Sequence, residues 1–419
     1  MLTRAENELL TRVGPGTPMG EMLREYWNPA VRAEALEADG APVRVRMFGE
    51  NFIAFRASDG RVGFFDEGCP HRCTSLALAR NEDNALTCIF HGWKIDVSGK
   101  VVEVPSEPPE RRAEFAAKVR VRHYPVREAG TIVWVYLGKR EQPPPFFNFE
   151  PTNLPAGHVK VWRAINHANW VQGLEGLIDS AHVGQLHQGQ IRSGAKDRGI
   201  ANDFRMTNAT GAPMFELEDC SYGFREAAMR PLPDGSRYVR IRQFVWPYFA
   251  FIPTPPGSEM ALVAPVPIDD EWMAQWYIVY RPDHPLSREE QLWCDHFVEG
   301  DDPDNFAAAG GMDQNWTQDR AKMKEGHWSG ITRSVPFEDF AMQEGQGPIV
   351  DRSREYLGHS DQIIIRTRRK LIEGARAFAK GAPPLGLAQP QDYSRLRSMS
   401  TQLPMERNWR ELDPASVPW

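Results

Sequence analysis

The sequence predicts an α+β protein in which a small all-β domain precedes a larger domain of mixed helices and strands. Three observations carry this reading. From Pro42 to about Lys139 the chain runs in short β-rich stretches broken by turn residues. Residues 141–155, rich in proline and phenylalanine, have the composition of a stiff linker. Beyond them helical patterning alternates with longer strands.

Taken in order, residues 3–28 read as helix with a break at Gly14-Pro15-Gly16-Thr17-Pro18, and Met22, Leu23 and Tyr26 fall at helical spacing. Residues 1–40 are therefore an N-terminal helical segment. The all-β domain, 41–140, has strands expected at 43–48, 52–55, 62–65 and 131–137, with turns at Ser58-Asp59-Gly60 and Ser98-Gly99-Lys100. The second domain, 156–384, starts with a helical pattern over 168–183. Strands at 221–229 and 237–244 then flank a turn at 231–236, and 272–280 is a further strand. A polar helix begins near Ser287. A closing helix over 361–379 puts Ile364, Leu371, Ala375 and Phe378 on one side, with Ser360 placed to cap it. Residues 385–419 read as an irregular arm.

Composition narrows the function. With 419 residues, 41% hydrophobic and 25% charged, the chain is neither disordered, fibrous nor a disulfide miniprotein. Its net charge of −7 lacks the basic surplus that nucleic acid or an anionic membrane demands, so neither is expected as a partner, and an anionic ligand must meet locally placed arginines. Charges interrupt the first residues where a secretory leader needs an apolar core, and no apolar run approaches the roughly 20 residues that span a bilayer. A soluble cytoplasmic protein is expected. Three of the five cysteines fall between Cys69 and Cys88, among histidines, which in a reducing compartment points to metal.

The first metal constellation is Cys69-Pro70-His71 followed by Cys88-Ile89-Phe90-His91-Gly92-Trp93. Two thiolates and two imidazoles suit a tetrahedral zinc or a Rieske [2Fe-2S] cluster, in which two cysteines hold one iron and two histidines the other. The arrangement favours the cluster. Each segment supplies one ligand of each kind, both lie between β runs rather than on a helix, and Pro70 and Gly92 allow tight loop tips. Cys73 reads as a small buried apolar residue.

The second constellation lies beyond the linker, where Asp179, His182 and His187 follow an amphipathic helical run. Asp179 and His182 are three apart and share a helical face. His187 would lie about 140° round an ideal helix from His182, so both rings reach one metal only if the helix breaks between them, and Gly184 stands there. Two histidines and a carboxylate form the facial triad of non-haem Fe(II) oxygenases. Spacing does not choose the carboxylate: Asp179, Asp313, Asp319, Glu338, Asp339 and Glu344 all qualify on chemistry alone.

These motifs resemble those of a known family. CPHRCTSLALAR…LTCIFHGWKID is similar to the Rieske signature of ring-hydroxylating oxygenases, with Cys73 where glycine is usual. The stretch from Asp179 to His187 resembles the D-x2-H-x4-H iron motif of their large (alpha) subunits, and Glu338-Asp339-Phe340-Ala341-Met342-Gln343-Glu344 matches the downstream E-D-x4-E pattern. Further stretches, among them NWTQDRAKMKEG and GPIVDRSREYLGHSD, look like the phthalate-dioxygenase branch. The resemblance implies a Rieske domain followed by a helix-grip catalytic domain with an antiparallel sheet flanked by helices. It makes Cys69, His71, Cys88 and His91 the cluster ligands, and His182, His187 and Asp339 the ligands of a mononuclear Fe(II). Asp179 becomes the bridge to the partner subunit's His91 in a homotrimer, stacked or single. It also implies O2 as co-substrate and electrons from NAD(P)H through a separate flavin and [2Fe-2S] reductase.

That branch acts on aromatic carboxylates, for which arginine is the matching residue because its planar fork pairs with both carboxylate oxygens. Strand alternation puts Arg240 and Arg242 on one face, opposite Val239 and Ile241, with Arg205, Arg225 and Arg230 as further candidates. Trp246, Tyr248, Phe249 and Phe251 belong either to an aromatic pocket or to plain core. The expected activity is cis-dihydroxylation of a phthalate-like or halobenzoate-like acid by a terminal oxygenase. The alternatives are monooxygenation with O-demethylation of a methoxylated aromatic acid, and a Rieske electron carrier with no chemistry of its own.

Overall fold

The computed structural model describes residues 1–192, 199–209, 212–307 and 310–417. Helices α1 (Arg4–Thr11) and α2 (Pro18–Arg24) are capped separately, α1 by a Thr3–Glu6 capping box and α2 by Thr17 with Pro18 in its first turn. The helical pattern stops short of residue 28, because Trp27 already begins strand β1 (Trp27–Arg32).

Short strands follow: β2 (Val43–Met47), β3 (Glu50–Arg56), β4 (Val62–Asp66), β5 (Arg80–Glu82), β6 (Ala85–Thr87), β7 (Lys94–Asp96) and β8 (Val101–Glu103). After α3 (Arg112–Lys118) come β9 (Val126–Ala129) and β10 (Ile132–Tyr136). They form three small antiparallel sheets, ordered β2-β3-β4, β5-β6-β7-β8 and β1-β10-β9. Ile53, Phe65, Leu86 and Trp93 pack between the first two sheets in one cluster that includes Cys69 and Cys88, so the two thiols sit at the edge of a packed core. In the 141–155 segment, Phe147 and Phe149 are buried against Phe249 with ring centroids 5.1 and 5.3 Å away, which ties the domains together.

The second domain opens with β11 (Val159–Asn166) and the helices α4 (Trp170–Ile178), α5 (Val183–Leu186), α6 (Gln188–Arg192) and α7 (Gly199–Ala209). Six strands follow: β12 (Met214–Cys220), β13 (Gly223–Pro231), β14 (Ser236–Val245), β15 (Phe249–Ile252), β16 (Met260–Pro267) and β17 (Met273–Tyr280). After them come α8 (Arg288–Gln291), β18 (Phe306–Ala307), α9 (Arg320–Lys324), α10 (Val335–Gly345), α11 (Gln362–Phe378) and β19 (Met399–Pro404). The large sheet runs β12-β13-β14-β15-β16-β17-β11-β18 and is antiparallel except where β18 lies parallel to β11, so it is mixed rather than purely antiparallel.

The arm beyond Pro384 is not irregular throughout. On β14, Gln243 to Val245 pair with β15 and Ser236 to Ile241 pair with β19, so the arm fills the length of strand edge that β15 leaves open. Ser360 does not cap α11; it lies in a 3-10 turn, and the Asp361 carboxylate accepts from the Gly358 N–H instead. Among the described residues no helix is long and apolar enough to cross a membrane.

Candidate metal centres and active site

The two cysteine–histidine loops of the small domain repeat one backbone pattern. Cys69 N–H donates to Thr74 O and Cys73 N–H to Cys69 O; Cys88 N–H donates to Trp93 O and Gly92 N–H to Cys88 O, all at 2.8–2.9 Å. The fifth residue of each loop is left-handed, Cys73 at φ +58° and Gly92 at φ +74°. Cys73 therefore occupies a position that glycine fills without steric cost. It is also exposed, not buried as its composition suggested, because the left-handed turn directs it away from the core.

Between the loops, His71 and His91 face each other with their Nδ1 atoms 3.1 Å apart, and the His71 ring stacks on Trp93 at 4.6 Å. Trp93 is held in turn by Ser106, to which its indole N–H donates at 2.9 Å. Burial pushes the Cys69 thiol up to about 11, with Cys88 beside it adding to the rise. Two clustered thiols and two converging imidazole nitrogens are a donor set that a cationic [2Fe-2S] centre satisfies. The loop tip itself is open: Ile89 and Phe90 are exposed.

The second site is assembled from three helices. Asn169 caps α4 by accepting from Val171 N–H, and α4 ends at Ile178, earlier than the 168–183 pattern suggested. Asp179 is extended, and its Oδ1 accepts the Ala181 N–H at 2.6 Å, a local turn that competes with helix. The break thus falls between Asp179 and His182, not at Gly184. His182 and His187 flank the short α5, which turns their rings toward each other with centroids 5.1 Å apart. Gly184 serves packing: a Cβ there would lie 2.6 Å from the Thr207 carbonyl of α7.

Helix α10 supplies the carboxylates. Gly176 lets α4 approach it closely, since a Cβ at that position would meet Gln343 at 2.9 Å. Asp339 Oδ1 stands 3.5 Å from His182 Nε2 and 3.4 Å from His187 Nε2. His182, His187 and Asp339 each offer an atom within 4.8 Å of the others, the one such group among the described residues. The opposite nitrogens are also held: His182 Nδ1 lies 3.4 Å from Asp179, and His187 Nδ1 lies 2.7 Å from Glu338. Glu338 is fully buried and accepts a further bond from Ser329 Oγ at 2.5 Å. Such carboxylates orient a ligating imidazole and raise its basicity.

Electrostatics agree with a cation site. Burial opposes charge on His182, yet Asp179 and Asp339 push it up to about 10; His187 is raised against its burial by Asp339 and Glu338, and the two histidines hold Asp339 well below the usual carboxylate range against its burial. The other carboxylates open on chemistry alone are engaged elsewhere or away from the site. Asp319 caps α9, Glu344 accepts from Trp316 and His167, and Asp313 is exposed. Asp179 and Glu338 stand behind the imidazoles instead.

His182, His187 and Asp339 line a cavity of about 550 Å3, counting its open mouth. Arg240 and Arg242 line it too, both 2% exposed. Arg240 pairs with Asp203 at 2.9 Å and Arg242 with Glu226 at 2.6 Å. Both guanidinium groups donate to Ser180 Oγ, at 3.2 and 3.1 Å, and Arg230 donates to the Ser180 carbonyl, so three arginines clamp the turn that carries Asp179. Arg205 is half-buried on α7 and is not among the lining residues; Arg225 pairs with Glu218 and covers Trp409. Trp246, Tyr248, Phe249 and Phe251 belong to the main core, while the aromatic lining comes from Phe204, Tyr277 and Trp293. Sequence reading missed Glu338 as the partner of His187, and it missed Gln275 and His296 in the cavity wall. No spacing signal links those residues.

An outer cleft, which reaches the exposed Met342, shares His182 and Asp339 with this cavity but not His187. It is lined by Glu175, Asp179, His182, Asp339, Met342 and Glu355 among others. Asp179 and His182 therefore stand in the partition between an inner cavity and an outward-facing surface.

Comparison with known proteins agrees with this layout. The family model for the Rieske [2Fe-2S] domain matches residues 26–125, and that described as LigXa C-terminal domain like matches residues 135–418. The chain is 39% identical to the phthalate 4,5-dioxygenase oxygenase subunit of Pseudomonas putida, over 98% of this chain and 94% of that one. It is 35% identical to the 3-chlorobenzoate-3,4-dioxygenase oxygenase subunit of Comamonas testosteroni, over 98% and 97%. In fold it is similar to the theobromine-bound QL mutant of NdmA from Pseudomonas putida CBB5, with a TM-score of 0.59 at 17% identity over 90% of this chain and 99% of that one. A cysteine–histidine loop pair inside a Rieske domain, a buried two-histidine-one-carboxylate group beyond it, and two nearly full-length relatives that are both dioxygenase oxygenase subunits lead to one conclusion: the chain belongs to the Rieske-type aromatic ring-hydroxylating oxygenases, as an oxygenase subunit.

Proposed function

We propose that this oxygenase subunit cis-dihydroxylates an aromatic carboxylate of the phthalate or halobenzoate type. The observation that carries the proposal is the placing of two buried arginines, Arg240 and Arg242, in the same cavity as His182, His187 and Asp339. A carboxylate held by those guanidinium groups sets the ring at a fixed distance from the metal-binding trio, and a desolvated bidentate pair is strong enough to orient it. The substrates named for the two relatives, phthalate and 3-chlorobenzoate, are acids of this class.

In this reading Cys69, His71, Cys88 and His91 hold the Rieske cluster, and His182, His187 and Asp339 hold a mononuclear Fe(II). When bound, the cluster relays single electrons and the iron supplies the O2 chemistry. Asp179 fixes the His182 ring from behind and reaches the outer cleft, the surface on which the exposed Ile89–Phe90 tip of a neighbouring subunit would bring the partner subunit's His91 close. A homotrimer supplies that neighbour. A separate reductase, drawing on NAD(P)H, reduces the cluster.

Product analysis tests the proposal. Turnover with phthalate isomers, chlorobenzoates and methoxybenzoates, with a reductase present, is expected to yield cis-diols carrying both atoms of labelled O2. Formaldehyde without a diol would replace this reading with O-demethylation.

A further inference from the structure

The cavity has two chemically different ends, because β14, which carries Arg240 and Arg242, and β17, which carries Gln275 and Tyr277, lie three strands apart in the sheet. At one, Arg240 and Arg242 are charged and each already shares its charge with a buried carboxylate. At the other, the polar lining residues are Gln275, Tyr277 and His296, and the described residues of that wall include no lysine or arginine. Gln275 and His296 are each 3% exposed, yet Gln275 Oε1 and His296 Nδ1 carry no hydrogen bond. The Gln275 amide donates to the Tyr277 oxygen at 2.7 Å, which leaves the Tyr277 proton free for another acceptor.

Buried polar atoms without partners are costly, and two that line one cavity call for a partner that the chain itself does not supply. His296 is also placed at a cost. The three residues before it, Trp293, Cys294 and Asp295, are consecutively left-handed at φ +43°, +52° and +68°, and the imidazole packs on Trp293 with centroids 4.1 Å apart. Strain of this kind persists where the surrounding structure enforces a functional placement.

We propose that Gln275, Tyr277 and His296 recognise an uncharged hydrogen-bonding substituent, such as a hydroxyl, on the part of the ring remote from the substrate carboxylate. The proposal rests on the carboxylate reading above. It narrows the substrate to an aromatic acid whose anionic groups all lie at the arginine end, either one carboxylate or an adjacent pair, with a neutral donor–acceptor group toward the opposite wall. A second carboxylate directed at that wall would be desolvated without a cation to pair it.

Calorimetric titration of the iron-loaded enzyme, without reductase, reads this directly. The probes are benzoate, the three hydroxybenzoates, isophthalate and terephthalate. At least one hydroxybenzoate is expected to bind about tenfold or more tightly than benzoate, with neither dicarboxylate gaining over benzoate. In Gln275→Leu and His296→Phe that ratio falls toward one. Iron content and the cluster spectrum report folding; should His296→Phe fail to load iron, Tyr277→Phe takes its place beside Gln275→Leu. The proposal is overturned if no hydroxybenzoate gains, if the gain survives the substitutions, or if benzoate and hydroxybenzoate lose affinity together, which would put the carboxylate on this wall. Benzoate binding that survives Arg240→Gln and Arg242→Gln would sink the carboxylate reading alone, because the hydroxyl ratio is measured independently of it.

Discussion

The two histidine pairs of this chain use opposite ring nitrogens. His71 and His91 converge through Nδ1, the atom nearest the backbone, whereas His182 and His187 turn Nε2 toward Asp339 and give Nδ1 to Asp179 and Glu338. The first arrangement leaves the far edge of each ring at an open loop tip. The second leaves the near edge locked inside the protein by carboxylates. The same residue type is thus set for outward exchange in one site and for internal rigidity in the other. The nitrogen chosen decides which neighbours can influence the metal.

The strongest way to break this comparison is to remove one site and watch the other. Asp339→Ala should abolish product formation, with iron falling from about three to about two atoms per chain and the cluster spectrum unchanged; loss of the cluster signal would mean the sites are not independent.

Next in size are the two carboxylates behind the imidazoles. Glu338→Gln should weaken iron retention against a chelator by about 10–100-fold. Asp179→Asn, at the partition facing the outer cleft, should instead keep both metals and slow cluster-to-iron transfer in single turnover by a similar factor. Equal effects of the two variants on iron retention would erase the distinction between a clamp and a bridge.

A pH titration sharpens the picture further. In iron-free protein His182, raised to near 10, is protonated at neutral pH, and iron must displace that proton; His187 is raised in the same direction. Iron affinity should therefore rise about tenfold per pH unit between pH 6 and 8, measured by competition with a chelator. The His182 charge stabilises the iron-free fold fully below about 6.5, and that contribution is lost as pH rises through about 10.

The smallest effect belongs to the first site. Cys73→Gly, which relieves a left-handed cysteine, should stabilise the cluster-loaded protein by about 0.5–1 kcal/mol, read as a small rise in melting temperature.

Legibility follows the same divide. The Cys69–His91 unit is local, so its spacing alone selected a short set of metals. The mononuclear site is not. His187 and Glu338 are 151 residues apart, and nothing in a single sequence pairs them. Asp339 came from a resemblance, because six carboxylates satisfied the chemistry equally. Strand alternation put Arg240 and Arg242 on one face, and both line the cavity. Their partners Asp203 and Glu226 come from other elements and carry no pattern. Cys73 was misjudged because burial follows backbone conformation as well as residue type, and His296 escaped notice because a strained turn, not a periodic element, delivers it to the cavity.

The strand that carries Arg240 and Arg242 is completed by β19, a segment far along the chain. Arg240 lies opposite Ser400 and Ile241 opposite Met399, so the edge beside the arginines stays open until β19 has been made. The cluster-holding loops, drawn from residues 69–93, have all their strand partners made far earlier. The order of synthesis therefore differs between the two halves: the strand pairs around the cluster-holding loops can form before β19 exists, whereas a truncation that removes β19 would strike the arginine-bearing strand.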